Sequence, residues 1–130
     1  MSLLIYKLDK ESKELILAQL QFNNMLEVIL GHVTLYNDPL QFDLPRLERL
    51  FTDTPDVKLI GFCSDYNAVV ALVSVNGMLD REATFKGRYH VTVAVGYGIR
   101  PVYANKLILE SNVIVNIPPV QLHGNIKLIN

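Results

Sequence analysis

Residues 57–76, "VKLIGFCSDYNAVVALVSVN", decide the fold class. Two strand-length runs rich in Val, Leu, Ile and Phe flank the polar stretch Ser64, Asp65, Tyr66, Asn67, and that order predicts a β-hairpin. Cys63 falls inside the first run, where a buried strand cysteine is expected. As the one cysteine of the chain it can form no internal disulfide and no Cys-rich zinc site.

Toward the N-terminus, "LLIYKL" (3–8) is short, apolar and partly alternating, and reads as a strand. "DKESKELILAQLQF" (9–22) follows. Asp9 suits an N-cap and Glu11 and Glu14 suit the opening turns, which predicts a helix with Leu8 near its start and Leu15, Ala18 and Phe22 on its buried stripe. A hairpin turning at "DKES" is the alternative. "MLEVILGHVTLY" (25–36) is a β-rich run stopped by Asn37, Asp38 and Pro39, and "LPRLERLFTDTP" (44–55) carries Leu44, Leu47, Leu50 and Phe51 at helical spacing.

Toward the C-terminus, "GMLDREATFKGR" (77–88) reads as a loop or short helix and "YHVTVAV" (89–95) as a strand. "GYGIRPVYANKLILES" (96–111) begins as a loop bearing Gly96, Gly98 and Pro101. "NVIVNI" (112–117) and "QLHGNIKLI" (121–129) end the chain as strands around "PP". Strands outnumber helices and no linker or low-complexity tract interrupts them. The expectation is an α+β fold of mainly antiparallel sheets with two helices, in a single domain over residues 1–130.

The charge balance, 12 Lys and Arg against 13 Asp and Glu for a net charge of −1, lacks the basic surface of a protein that coats long nucleic acid. A small phosphorylated ligand or an RNA end needs only a few placed donors and stays open. The longest apolar runs, such as "AVVALVSV" (68–75), fall far short of a membrane span, and no basic-then-apolar leader opens the chain, so a cytoplasmic protein is expected.

Two of the three histidines sit in near-identical settings, "GHVTLY" (31–36) and "YHVTVA" (89–94). On a strand, residues i and i+2 share a face, so His32 and Thr34 point one way and Val33 and Leu35 the other. His90 and Thr92 divide from Val91 and Val93 in the same manner. Two imidazoles and two hydroxyls brought together suit a phosphodiester: one imidazole as base, one as acid, and the hydroxyls as donors to non-bridging oxygens. An imidazole titrates near neutrality, so the pair can hold one neutral and one charged ring without a metal or other cofactor. The bland alternative is that each is an ordinary structural strand histidine.

These motifs resemble the signature of the 2H phosphoesterase superfamily, also called LigT-like, which is two His-x-Thr/Ser motifs flanked by hydrophobic residues. "LDKESKELILAQL" and "GIRPVYANKL" are further similar to small members associated with RNA repair. The resemblance implies a bilobal architecture around a central cleft and metal-independent chemistry on RNA ends or nucleotides. His32 and His90 would be general acid and base, and Thr34 and Thr92 would bind phosphate. Implied substrates are 2',3'-cyclic phosphate ends, or 2'-5' and cyclic oligonucleotides, and no obligate protein partner is implied.

Further candidates follow from position. Arg100 and Lys106 after the second motif, and Arg88 two residues before His90, are cations that suit phosphate. Tyr97, Tyr103 and Tyr66 offer rings for base stacking. A solvated loop or turn is the plainer reading of each. Zinc held by His32, His90 and His123 is the metal alternative, but it leaves the two threonines unexplained. A non-catalytic nucleotide- or RNA-binding module is the rival from outside enzymology.

Overall fold

The computed structural model describes residues 3–20, 27–37, 49, 54–80, 88–100, 102–110 and 114–129. The elements are β1 (Leu3–Leu8), α1 (Lys10–Ala18), β2 (Glu27–Val28), β3 (His32–Asn37), β4 (Val57–Ser64), β5 (Ala68–Val75), β6 (His90–Val95), α2 (Tyr103–Glu110), β7 (Val115–Leu122) and β8 (Gly124–Ile129). A three-stranded sheet runs β3-β1-β8 and a five-stranded sheet β2-β6-β5-β4-β7, with every named pairing antiparallel. The α+β class with antiparallel sheets is therefore as expected, and two helices are named among the described residues.

The expected hairpin is present. Asp65 follows β4, its Oδ1 accepting from the amides of Asn67 (2.7 Å) and Ala68 (3.0 Å), so the carboxylate closes the turn that the polar residues announced. β5 is buried along its whole length because it has a covered layer on each side. Val69, Ala71, Val73 and Val75 enter the core between the sheets, while Ala68, Val70 and Leu72 meet Ala104 and Leu107 of α2. This accounts for its unbroken apolar run, which a half-solvated strand would have interrupted with polar residues.

Two segments belong to both sheets. β2 pairs with β6, then the chain bends at Leu30, whose φ of 29° is unusual for a branched residue, and β3 pairs with β1. "MLEVILGHVTLY" is thus two strands, not one. β7 pairs with β4, the chain turns at His123, and β8 pairs with β1. The pairings run in a ring through both sheets and enclose one core, in which Leu4, Tyr6, Val33, Leu59, Val73 and Val91 are among the buried side chains. Gly124 is required at the second corner: a Cβ there would lie 2.1 Å from the Lys7 carbonyl oxygen.

α1 is a helix and not the hairpin alternative, with Asp9 as its N-cap accepting from the Ser12 amide at 2.8 Å. Its buried face differs from the expected one. Ser12 and Ile16 are buried, Leu17 and Leu20 pack against the core, Leu15 is half-buried and Ala18 is exposed. The Ser12 hydroxyl accepts from the His123 amide at 2.6 Å, and this contact with the β7–β8 corner sets the rotation of the helix. Phe22 lies outside the described residues.

The second expected helix is described at few of its residues. The predicted helix at 44–55 lies outside the described residues except at Arg49, which is helical, and at 54–55. A helix that was not expected, "YANKLILE", forms α2 on the outer side of the five-stranded sheet. Nor does "PP" separate two strands. β7 runs through Pro118 and Pro119, because Leu59 pairs with Val120 and Gly61 already with Asn116, so Ile117, Pro118 and Pro119 form an irregularity on a strand at the sheet edge. Proline is tolerated there since no second neighbour needs its amide.

Candidate active site

Strand alternation places the four motif side chains. Val33 and Leu35 of β3 and Val91 and Val93 of β6 are buried in the one core between the sheets. His32, Thr34, His90 and Thr92 therefore point to the outer surface of their strands. The two strands adjoin. Leading into β3, the amides of Ile29 and Leu30 donate to the carbonyls of Val93 (2.8 Å) and Thr92 (3.2 Å), and the Gly31 carbonyl then accepts from the Leu8 amide at 3.1 Å. β3 so passes from the side of β6 to the side of β1, and β3 and β6 stay neighbours with both His-Thr pairs turned outward.

The imidazoles differ in environment. His32 is exposed as a residue, yet partial desolvation of its ring lowers its pKa from the ordinary 6.5 and favours the neutral form. His90 is half-buried, and its Nδ1 lies 2.8 Å from the Arg88 carbonyl oxygen. A carbonyl can only accept, so Nδ1 carries a proton and exchange at neutrality proceeds through Nε2. Thr34 and Thr92 are half-buried, opposite Ile5 and Val70 respectively.

One neighbour was not anticipated from sequence. Lys7 pairs directly with His32 across β1 and β3, and directly opposite residues share a face with Cβ atoms about 5 Å apart. On its other side Lys7 faces Asn125, and Lys127 faces Ile5. The alternation of "LLIYKL" gives Lys7 a face, but nothing local says which strand lies beside it.

The remaining candidates are distributed otherwise. Arg88 is half-buried, bridges to Asp80 through its backbone and adjoins His90, and its Nε is buried without a hydrogen-bond partner among the described residues. Tyr66 and Tyr97 are fully exposed on two turns joined by the Gly96 amide donating to the Asn67 carbonyl at 2.8 Å. Those turns sit at the far end of β6 from His90, roughly 20 Å away at strand rise. Arg100 and Lys106 are exposed in the same region, after β6 and on α2. Tyr103 donates its hydroxyl to Asp65 Oδ2, which ties α2 to the β4–β5 turn. His123 occupies the β7–β8 corner, and Cys63 is buried with Sγ 4.0 Å from the Leu107 carbonyl oxygen. Among the described residues no group of three or more His, Cys, Asp or Glu is placed to hold a metal ion.

No family model, no curated protein and no solved structure matches the chain. Among the described residues no helix is long and apolar enough to cross a membrane.

Proposed function

We propose that the chain is a metal-independent phosphodiesterase acting on 2',3'-cyclic phosphate RNA ends or nucleotides. The observation that carries the reading is that His32 with Thr34, and His90 with Thr92, lie on the outer face of adjoining strands. The likeness of both motifs to the 2H signature supports the same chemistry. The bilobal cleft of that family is part of the proposal only in a modified form. The space between the two sheets is filled by the apolar core, so the substrate lies against the outer seam of β3 and β6.

The roles follow from the two environments. Neutral His32 takes a proton from water as the water oxygen bonds to phosphorus. The phosphorus–oxygen bond to one ribose oxygen breaks, and the departing oxygen takes a proton from Nε2 of His90, whose Nδ1 proton is engaged by the Arg88 carbonyl. Thr34 and Thr92 donate to the non-bridging oxygens. A panel of 2',3'-cyclic mononucleotides, cyclic-phosphate RNA ends, 2'-5' oligonucleotides and cyclic oligonucleotides, assayed with chelator present, tests this. Turnover of the cyclic phosphates is expected, with kcat falling about 10²–10⁴-fold in His32→Ala and in His90→Ala at unchanged fold. Consumption of the 2'-5' or cyclic oligonucleotides alone would keep the site and change its substrate. Binding without turnover anywhere on the panel would replace the enzyme by a nucleotide-binding module.

A further inference from the structure

The outer face of the three-stranded sheet continues from the His32–Thr34 pair across β1 and β8. By register His32, Lys7 and Asn125 form one exposed row, and Thr34, Ile5 and Lys127 the next, in which Ile5 is buried, Thr34 half-buried and Lys127 exposed. The inward residues of the same strands, Tyr6, Val33 and Ile126, pack in the core, which fixes Lys7, Asn125 and Lys127 outward, and all three are exposed. Among the described residues of these two rows there is no carboxylate. Two ammonium groups and an amide lie beside one motif of a chain whose net charge is −1. With strands about 4.8 Å apart and a rise of about 3.3 Å per residue, the Lys7 and Lys127 Cα atoms are roughly 8 Å apart, and flexible stems carry each charge farther.

We propose that this face binds the phosphates next to the reacting one, so that the substrate class is a single-stranded oligoribonucleotide and not a free mononucleotide. The proposal deepens the phosphodiesterase reading and rests on it for the position of the reacting phosphate. Lys7 takes the phosphate beside His32, Lys127 takes the following one, and Asn125 donates between them. Such contacts are sequence-independent and salt-dependent, because each neutralised phosphate releases condensed counterion. A strand of RNA fits better than a folded anionic partner, since the cations follow a line that starts at the His-Thr pair.

The test is fluorescence anisotropy of a 5'-labelled oligouridylate of five nucleotides with a plain 3'-hydroxyl end, titrated over a range of salt concentrations. Removing one phosphate contact should flatten the plot of log K against log salt by roughly 0.7. Lys7→Gln and Lys127→Gln should each do so, the double variant should do so about twice over, and arginine at either position should restore the slope. Lys58→Gln, on the outer side of the other sheet, should leave it unchanged. Equal slopes in wild type and the double variant, or an equal effect from Lys58→Gln, would overturn the proposal. If the slope falls as expected while no panel substrate turns over, the face stands and the enzyme reading falls. If cyclic phosphates are consumed but the slope does not move, this inference alone is lost.

Discussion

Gly124→Ala probes the corner that brings β8 against β1, and with it the positions of Lys7 and Lys127. The added methyl would sit 2.1 Å from the Lys7 carbonyl oxygen and 2.9 Å from its carbon, where ordinary contact begins near 3.4 Å. The obstacle is backbone, so it cannot rotate away as a side chain would. The corner is also held on two further sides, by the Asp9 amide donating to the His123 carbonyl and by the His123 amide donating to Ser12. Two terms compete. Replacing glycine restricts the unfolded chain and favours folding by about 0.4–1 kcal/mol, while forcing an atom into a packed site costs about 1–3 kcal/mol, or more against backbone. The clash wins, for a net loss of about 2 kcal/mol and a fall in Tm of about 8 °C at this chain length. Urea unfolding followed by circular dichroism measures it, with Gly31→Ala as the control because nothing lies within 4 Å of a Cβ there. Gly31→Ala should stay within about 0.5 kcal/mol of wild type. If Gly124→Ala loses no more than that control, the corner does not approach β1 as described.

Three other outcomes are expected. Folding depresses the His32 pKa, so the unfolded chain binds more proton in the window below 6.5. Stability is therefore complete above that value and lost as pH falls through the folded pKa. Urea midpoints from pH 7.5 down to 5 should drop more in wild type than in His32→Gln, and identical pH slopes would count against it. At Asp65, burial alone would raise the carboxyl pKa, but the hydrogen bonds from Tyr103 and the amides of Asn67 and Ala68 outweigh it and hold the value low. Tyr103→Phe should raise it, as read by carboxyl NMR titration. The stability lost in that variant should be visible above pH 3.8 and vanish in acid as the wild-type carboxylate is protonated. Leu59→Ala, at a fully buried position, should cost about 2–5 kcal/mol in urea unfolding, and a loss under about 1 kcal/mol would mean the core between the sheets is loosely packed.

Local chemistry made much of this readable in advance. The polar residues 64–67 between apolar runs announced the β4–β5 turn, and Asp9 announced the start of α1, because turns and caps are satisfied by side chains within a few residues. Period-two alternation gave each motif its two faces. Tyr103, Ala104, Leu107 and Ile108 of α2 have helical spacing, but the glycines and proline just before them carry a loop signal that obscures it. The bend at Leu30 left no local mark: β2 and β3 are one apolar run, and only pairing with two different partners divides them.

The sequence by itself determined β1, the β4–β5 hairpin, β6, the first helix and the division of each His-Val-Thr motif into an apolar face and a polar one, since backbone geometry fixes these within a few residues. Only the tertiary structure decided that both apolar faces enter one core, that both His-Thr pairs therefore look outward from adjoining strands, and that Lys7 stands beside His32. Those facts depend on register between segments far apart in the chain, which is set when the sheets close around shared apolar surface.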